Sequence, residues 1–255
     1  MPTKDEFKGM TTLVTGASSG IGAAIALGLA SCGARVLVHY NSNLDGAREV
    51  ACQIQARGGE AELFPGDLSC ADGVCKFTEK IQALGRPVDI LVNNAGTLLR
   101  RARILEVSGE LWDDVITLNL KSAFFISQTV VPGMMERGQG CIVNISSLAA
   151  MMGGGIGASV YATAKGGLST LTKAFAREFA PHGIRINAVS PGTIDTNYHR
   201  RFNTKEGLES VRVATPAGRI GTSSEVADVV LFLCSDAARF VHGQVVEVNG
   251  GYWLA

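Results

Sequence analysis

The chain has no apolar run that approaches the roughly 20 residues needed to span a bilayer. It also has no excess charge of either sign, because 23 lysines and arginines balance 23 aspartates and glutamates. That balance argues against nucleic acid or a membrane surface as a partner. The N-terminus is charged from its fourth residue and lacks an apolar segment, so we expect no signal peptide and a cytoplasmic protein.

Cysteine and histidine are few and scattered. The six cysteines form no C-x-x-C motif, and the four histidines do not lie at ligand spacing. Free thiols in a reducing compartment explain these cysteines better than disulfides or zinc do. We therefore predict no metal site.

What the chain does contain is a regular alternation of short β-branched runs and longer helical patterns. The predicted strands cover residues 11–15, 35–39, 61–64, 88–93, 141–145, 184–189 and 245–248. The predicted helices cover residues 21–32, 44–57, 71–84, 111–136, 160–179 and 224–233. This alternation predicts right-handed β-α-β units in an α/β fold, a doubly wound parallel sheet with helices on both faces.

No proline-rich or serine-rich linker interrupts the series, so residues 1–255 are predicted to form one domain. Residues 192–217 lack apolar periodicity and carry many polar and basic side chains. Long connections of this kind are often functional. We predict that this segment is a substrate-binding loop.

A glycine-rich turn, T-G-A-S-S-G-I-G at residues 15–22, directly follows the first predicted strand. Such a turn lets the backbone approach a pyrophosphate, which then lies at the N-terminus of the next helix. Its spacing is G-x-x-x-G-x-G, which differs from the G-x-G-x-x-G dinucleotide fingerprint. Its position after the first strand favours cofactor binding.

Four further motifs end predicted strands: G-D-L-S at 66–69, N-N-A-G at 93–96, N-I-S-S at 144–147 and P-G-T-I-D-T at 191–196. Ligands of open parallel sheets bind at the carboxyl ends of the strands. All four motifs and the glycine-rich turn are therefore predicted to meet at one edge of the sheet.

A tyrosine and a lysine stand four residues apart in S-V-Y-A-T-A-K-G-G, at Tyr161 and Lys165. In a helix the two side chains lie one above the other on one face. A phenol with a pKa of about 10 is a poor acid or base at neutral pH. A fixed ammonium beside it favours the phenolate and lowers that pKa.

In their joint order and spacing, these motifs are similar to those of the short-chain dehydrogenase/reductase family in its single-domain, Rossmann-like form. The resemblance implies an NAD(P)-dependent enzyme that interconverts a ketone and a secondary alcohol by hydride transfer. The catalytic residues it implies are Asn119, Ser147, Tyr161 and Lys165. The cofactor-binding residues it implies are Gly16, Ser18, Ser19, Gly20, Ile21, Gly22, Tyr40, Asn41, Ser42, Asp67, Leu68, Asn94, Ala95, Gly96, Tyr161, Lys165, Pro191, Gly192, Ile194 and Thr196.

The resemblance also implies a role for each catalytic residue. Tyr161 is the expected general acid/base, and Lys165 is expected to lower its pKa and to bind the nicotinamide ribose. Ser147 is expected to hydrogen-bond the substrate oxygen, and Asn119 to anchor a water that connects Lys165 to solvent. Fourteen positions separate Ser147 from Tyr161, one more than the spacing associated with the family. That departure leaves open either Ser146 or a displaced Ser147.

Cofactor preference is commonly decided where the second strand ends, beside the adenosine ribose. An acidic residue there would bind the ribose hydroxyls and repel a 2′-phosphate. Here Tyr40 stands where the acid is expected, and Asn41 and Ser42 could donate to a phosphate. No arginine or lysine occurs there or at Ser19. We therefore expect NADP, with NAD as the alternative.

Substrate choice is predicted to reside in three segments, residues 97–103, 148–159 and 192–217. The first and third carry arginines in L-L-R-R-A-R and Y-H-R-R, which suit a carboxylate or phosphate but equally a solvated surface or a subunit contact. The specific forms considered are a 3-oxoacyl-carrier-protein reductase and a sugar-acid or polyol dehydrogenase. The alternative class is a non-catalytic dinucleotide-binding regulator. A P-loop hydrolase is excluded because its motif is missing.

The C-terminus V-V-E-V-N-G-G-Y-W-L-A is apolar to its end. A tail this apolar would be unusual on the surface of a monomer. Since family members commonly pair through this region and the long helices, the sequence predicts a homotetramer.

Overall fold

The computed structural model describes residues 2–196, 202 and 204–254. Within them, seven parallel strands form one sheet: β1 (Thr11–Val14), β2 (Arg35–Tyr40), β3 (Glu60–Pro65), β4 (Ile90–Asn93), β5 (Gly140–Ile145), β6 (Ile184–Pro191) and β7 (Val245–Val248). Their order across the sheet is β3-β2-β1-β4-β5-β6-β7. The predicted α/β, doubly wound parallel sheet is confirmed.

The described α-helices lie between and after these strands. They are α1 (Gly20–Ser31), α2 (Leu44–Ala56), α3 (Ala71–Gln82), α4 (Gly109–Ile116), α5 (Ser122–Arg137), α6 (Ala149–Met152), α7 (Ser159–Phe179), α8 (Lys205–Ala214) and α9 (Ser223–Cys234). Helices α1, α2 and α9 contribute to the core on one face of the sheet, and α3, α5 and α7 to the core on the other.

The two faces are both apolar because successive strand residues point to opposite sides. Leu13 and Val14 of β1 are adjacent in sequence and fully buried, yet they belong to different core clusters. A strand covered on both faces must be apolar at every position. This is why the strands read as continuous apolar runs rather than as alternating patterns.

The winding of the sheet reverses between β1 and β4. The chain runs outward from β1 through β2 to β3, then returns to add β4 on the other side of β1. In open α/β sheets this reversal opens a crevice at the carboxyl ends of the strands. The site lies in this crevice.

The helix predicted at residues 111–136 is not a regular α-helix throughout. A π-helical segment, Thr117–Lys121, joins α4 to α5. Within it, Asn119 donates from Nδ2 to the Val115 carbonyl at 2.8 Å. A side chain that bonds a backbone carbonyl four residues earlier competes with the helical ladder. The predicted long helix is therefore present from residue 109 to residue 137, and the π-helical segment within it was not predicted.

The segment 192–217 also differs from its prediction as a loop, because α8 occupies part of it. The V-N-G-G turn at residues 248–251 contacts the C-terminal end of the segment 192–217. The Ala217 amide donates to the Gly250 carbonyl at 3.0 Å, and a Cβ at Gly250 would lie 2.8 Å from Thr215 Cγ2. With a φ of +63°, Gly250 occupies a position that suits only glycine.

Three further findings concern membrane spans, thiols and metal-binding clusters. No described helix combines the length and hydropathy that crossing a membrane requires. All six cysteines are free thiols. Over residues 2–196, 202 and 204–254, no cluster of histidine, cysteine and carboxylate side chains has the composition of a metal site.

Candidate active site

A cavity of about 620 Å³ opens at the carboxyl ends of the strands. Of the residues proposed from sequence for catalysis or cofactor binding, all line this cavity except Asp67 and Asn119. The motifs predicted to meet at one edge of the sheet therefore do so.

The glycine-rich turn forms one wall of the cavity. Gly16 and Gly20 have φ values of +64° and +55°, in the region that favours glycine. A Cβ on Gly22 would lie only 2.3 Å from the Gly16 carbonyl oxygen. Ser19, the N-cap of α1, makes no side-chain cap hydrogen bond. The backbone thus curves closely around the positive end of a helix, an arrangement that fits a pyrophosphate.

His39, at the end of β2, connects the glycine-rich turn to the loop after β3 through hydrogen bonds. Its Nδ1 accepts a hydrogen bond from the Gly16 amide at 2.8 Å, and its Nε2 lies 3.1 Å from the Gly66 carbonyl oxygen. The imidazole is therefore neutral and carries its proton on Nε2. Burial lowers the pKa of His39 to about 4, because the charged form would lose its hydration.

This shift predicts that part of the acid sensitivity of the fold comes from His39. The folded-state pKa lies below the unfolded value of about 6.5, so stability contributed by the neutral ring is complete above that value and is lost as the pH falls towards 4. We expect a loss of about 3 kcal/mol across this window. Urea unfolding of the wild type and of His39→Asn at several pH values measures it. Identical pH slopes for the two proteins would contradict this assignment.

The end of the cavity at which the sequence predicts the adenosine is lined by Tyr40, Asn41 and Ser42. Asp67, which the sequence placed against the adenine, lies outside the lining. Its Oδ1 accepts hydrogen bonds from Asn41 Nδ2 at 3.1 Å and from the amide and hydroxyl of Ser69 at 2.9 and 2.7 Å. Asp67 therefore supports the loop that carries Asn41, and its role in cofactor binding stays a prediction.

The N-N-A-G motif connects the turn to the catalytic end. Asn94 Nδ2 donates to the Thr15 carbonyl at 2.8 Å and to the Gly16 carbonyl at 3.1 Å. A Cβ on Gly96 would lie 2.5 Å from Asn119 Oδ1 and 3.0 Å from Lys165 Nζ. The lack of a side chain at Gly96 therefore leaves both polar atoms close to the cavity.

Tyr161 and Lys165 lie one turn apart in the first half of α7, as their spacing predicts. The Lys165 ammonium lies 5.7 Å from the centroid of the Tyr161 ring. Four small residues, Ala162, Thr163, Ala164 and Gly166, surround the pair in the helix. This places the tyrosine and the lysine together at the cavity wall.

Lys165 is almost entirely buried, and its Nζ donates to the Ile145 carbonyl at 2.7 Å. No carboxylate forms an ion pair with it among the residues that the structure describes. Burial alone lowers its pKa from 10.5 to about 8. An unpaired buried ammonium is costly, which is typical of a functional rather than a stabilising residue.

Asn119 lies behind Gly96 rather than in the cavity wall. Its Nδ2 donates to the carbonyls of Thr97 and Val115 at 2.9 and 2.8 Å. Its Oδ1 is buried and has no hydrogen-bond partner among the described residues. The π-helical segment thus aims an acceptor toward Lys165, and π-bulges are frequent at functional sites.

The two serines of N-I-S-S have different partners. Ser146 Oγ is buried and lies 3.1 Å from the Lys165 carbonyl and 2.7 Å from Ser169 Oγ. Ser147 is less buried, and its Oγ accepts a hydrogen bond from the Ala149 amide at 3.1 Å. Ser146 is held against α7, which leaves Ser147 as the better-placed serine for a ligand.

The extra residue between Ser147 and Tyr161 falls in a loop of unusual backbone. Gly153, Gly154 and Gly157 have φ values of +77°, +73° and +80°. Three glycines in the left-handed region allow the chain to turn sharply between α6 and α7. The loop therefore absorbs the longer spacing without displacing Tyr161 from the cavity.

The lining also includes residues outside the predicted catalytic and cofactor-binding set, among them His39, Arg101, Met152, Val211 and Tyr252. Arg101, Met152 and Val211 belong to the three segments predicted to determine substrate choice, and Tyr252 belongs to the C-terminal segment predicted to pair subunits. Thr196 does line the cavity, and a Cβ on Gly20 would lie 3.3 Å from its Cγ2. Tyr198, His199, Arg200 and Arg201, proposed as substrate contacts, lie outside the described residues.

Comparisons with known proteins agree with this geometry. Residues 16–253 match a family model described as enoyl-(acyl carrier protein) reductase. The chain is 40% identical over 248 residues to the 3-oxoacyl-[acyl-carrier-protein] reductase FabG of Escherichia coli (strain K12), covering 97% of this chain and 99% of that protein. It is 38% identical over 246 residues to the uncharacterized oxidoreductase YmfI of Bacillus subtilis (strain 168), covering 95% and 98%.

Two solved structures are also similar to the chain over almost its whole length. A protein of Beutenbergia cavernae, assigned as an NAD(P)-dependent gluconate 5-dehydrogenase and crystallised with NADP at low occupancy, superposes with a TM-score of 0.91 at 39% identity, covering 98% of this chain and 99% of that one. One of Agrobacterium tumefaciens, assigned as a gluconate dehydrogenase, has a TM-score of 0.90 at 35% identity, covering 98% of each chain.

Proposed function

Because the chain belongs to the short-chain dehydrogenase/reductase family and is an oxidoreductase acting on CH–OH and C=O groups, we propose that Tyr161 is its general acid/base. The observation that carries this proposal is the pairing of Tyr161 with the buried, unpaired Lys165 at the wall of the cavity. A non-catalytic regulator on the same fold has no need for a costly buried lysine beside a tyrosine.

A nicotinamide dinucleotide, when bound, would supply the hydride to the carbonyl carbon or would accept it in the oxidative direction. Tyr161 gives its phenolic proton to the developing alkoxide, and Ser147 donates a hydrogen bond to the same oxygen. The Lys165 ammonium favours the ionised form of the phenol that remains. Asn119 Oδ1 is positioned to accept from a water that returns a proton toward Lys165.

The same wall residues hold the dinucleotide. The glycine-rich turn and the N-terminus of α1 would receive the pyrophosphate. Lys165 would bind the nicotinamide ribose, and Gly192, Ile194 and Thr196, which line the same cavity, would hold the nicotinamide. The structural features that support this assignment are the close glycine contacts, which leave no room for side chains where the cofactor passes.

The preferred cofactor is NADP. The described cavity lining includes no carboxylate, and Tyr40 lies where an acid would bind the ribose hydroxyls. The nearby Asp67 lies outside the lining, with one oxygen already accepting three hydrogen bonds. Asn41 and Ser42 line the position that a 2′-phosphate would occupy.

Changing Tyr40 to aspartate is expected to reverse this preference. A carboxylate facing the 2′-phosphate costs several kcal/mol through like-charge repulsion, so NADPH binding should weaken by about a hundredfold or more while NADH binding is retained. Titration of both cofactors by fluorescence gives the dissociation constants, and Tyr40→Asn is the uncharged control. Tighter binding of NADH than of NADPH by the wild type would overturn the proposal.

The substrate form best supported is a 3-oxoacyl compound. The lining beyond Tyr161 is apolar or small, with Leu98, Leu148, Met152 and Val211 among its members. Such a wall suits an acyl chain better than a polyhydroxylated one. The second candidate, a sugar acid, is favoured by Arg101 in the lining.

A substrate panel followed by absorbance of the reduced cofactor tests these assignments. It contains 3-oxoacyl thioesters of increasing chain length, keto forms of sugar acids and neutral ketones. We expect the highest kcat/KM with a 3-oxoacyl thioester. A higher kcat/KM with a keto sugar acid would establish the second candidate, and no turnover of any carbonyl compound would contradict the proposed reaction.

The protein is proposed to be a cytoplasmic homotetramer. Trp112 on α4 and Phe125 on α5 are partly exposed, and Phe240 and Leu254 are 97% and 82% exposed. Burial of these apolar surfaces between subunits would stabilise the assembly. Light scattering at micromolar concentration should give about four times the chain mass of 26.7 kDa. A monomeric mass would contradict this prediction.

A further inference from the structure

Arg101 contacts two segments that are far from it in sequence. Its Nη1 donates to the Ile156 carbonyl at 2.8 Å, and its Nε donates to the Phe202 carbonyl at 3.1 Å. The next residue, Ala102, donates from its amide to the Gly157 carbonyl at 3.1 Å. Both of these guanidinium hydrogen bonds are to backbone carbonyls, and the side chain also lines the cavity.

The glycine loop at 153–158 depends on such contacts for its position. Its three left-handed glycines have wide conformational freedom when the chain is unfolded. Among the described residues, the hydrogen bonds that reach residues 154–157 from another segment come from Arg101 and Ala102. A Cβ at Gly157 would lie 3.1 Å from both Arg101 Cβ and the Ala102 nitrogen.

Tyr161 lies immediately after this loop. Helix α7 begins at Ser159, and its N-cap Ala158 provides no side-chain cap hydrogen bond. Ala102 belongs to the small core cluster that includes Val160, with Tyr161 packed against it. The first turn of α7, which carries Tyr161, is therefore positioned by the loop and by the 101–102 segment rather than by a cap of its own.

We propose that Arg101 is a positioning residue that fixes the glycine loop and the first turn of α7, and through them Tyr161. This inference rests on the proposed function of Tyr161. This positioning role differs from the direct binding of a substrate carboxylate. The two hydrogen bonds from Arg101 to backbone carbonyls affect the turnover of every substrate, whether acidic or neutral. The planar fork of arginine reaches two acceptors at once, which a lysine ammonium on a flexible chain does not reproduce.

Two variants test the positioning role of Arg101. Arg101→Lys should lower kcat by about tenfold for neutral ketones and acidic substrates alike, with the cofactor dissociation constant unchanged within about twofold. Gly157→Ala should reproduce this effect, because its Cβ displaces the same contact. Gly58→Ala is the matched control: its φ is also +80°, but nothing lies within 4 Å of the added Cβ, so it should retain wild-type kcat.

Amide hydrogen exchange tests the same proposal without any turnover. Arg101→Lys should speed exchange at Ala102 and across residues 153–161 but not in α1. Amide exchange therefore tests the positioning role separately from the proposed function. If the proposed function is wrong, the wild-type protein will turn over no carbonyl compound. Loss of activity confined to acidic substrates would contradict the positioning role and identify Arg101 as a substrate ligand. Unchanged amide exchange in the variant would contradict it as well and identify Arg101 as a surface residue.

Discussion

Replacing Tyr161 by phenylalanine is expected to lower kcat at least about a hundredfold, the low end for removal of a general acid/base group. The hydroxyl is the proton source for the developing alkoxide, and the aromatic ring that packs against Val160 and its neighbours is kept. Cofactor affinity should change little, because the glycine-rich turn and Lys165 are untouched. Single-turnover oxidation of the reduced cofactor by substrate measures the chemical step directly.

A matched control is Tyr252→Phe, which removes a second phenol from the lining of the same cavity. Since Tyr252 has no lysine one helical turn away, its loss should lower kcat far less than the loss of the Tyr161 hydroxyl. If Tyr161→Phe kept more than half of the wild-type single-turnover rate, the role of Tyr161 as proton donor would be refuted.

Replacing Lys165 by methionine should separate activity from stability. The variant loses the charge that favours the phenolate, so kcat should fall by at least about a hundredfold. Cofactor binding should also weaken, because Lys165 is the proposed partner of the nicotinamide ribose. This second loss distinguishes Lys165→Met from Tyr161→Phe.

The same variant should be more stable than the wild type when no ligand is bound. The folded-state pKa of Lys165, about 8, lies below its unfolded value of 10.5. Below pH 8 the folded protein therefore bears the cost of a buried charge, about 3 kcal/mol, which is relieved as the pH rises from 8 to 10.5. Subtracting about 1 kcal/mol for the lost hydrogen bond to Ile145, we expect a gain of about 2 kcal/mol at pH 7.

Urea unfolding of the two proteins at pH 7 and pH 10 measures this difference. The wild type should become more stable relative to Lys165→Met as the pH rises, since its lysine is discharged in the folded state first. A variant that is less stable than the wild type at pH 7 would show that Lys165 stabilises the fold.

Most of the fold could be predicted from the sequence because the core covers both faces of the sheet. Strands that are buried on both sides are continuous apolar runs, and the helices between them have a pattern of their own. Every predicted strand and helix boundary lies within two residues of the observed one. The handedness of β-α-β units decides on which face each connecting helix lies. It does not determine the strand order or the register, which only the folded chain shows.

Helix α8 was missed because it buries none of its residues. A helix on the surface needs no continuous apolar stripe, so the segment read as a polar loop. The capping residue was the available signal, since Thr204 Oγ1 accepts a hydrogen bond from the Gly207 amide at 3.0 Å. A threonine before K-E-G is a typical helix start.

The parts of the candidate site whose residues lie within one short sequence motif could be predicted. The glycine-rich turn and the Tyr161–Lys165 pair are local in sequence, so spacing alone predicts their geometry. The hydrogen bonds that Asp67 Oδ1 accepts from Asn41 and Ser69 could not be predicted, because Asn41 lies on a different strand end. Asn119 was placed behind Gly96 by a π-helical segment that the helical pattern does not show.

The roles of His39 and Arg101 depend on partners that are distant in sequence. His39 meets Gly16 and Gly66 only because β1, β2 and β3 lie side by side. Arg101 meets carbonyls 55 and 101 residues away. An arginine pair in a polar segment gives no indication of such backbone contacts, so only the folded chain shows them.

The transfer of a labelled hydride tests the central claim most directly. The reduced cofactor, carrying deuterium at its transferable position, is incubated with the wild-type protein and a 3-oxoacyl thioester, and the product is examined by mass spectrometry. We predict an alcohol with one deuterium on the carbinol carbon, formed by the wild type and at least about a hundredfold more slowly by Tyr161→Phe. Reduction without deuterium in the product, or equal rates for the two proteins, would contradict the proposed mechanism.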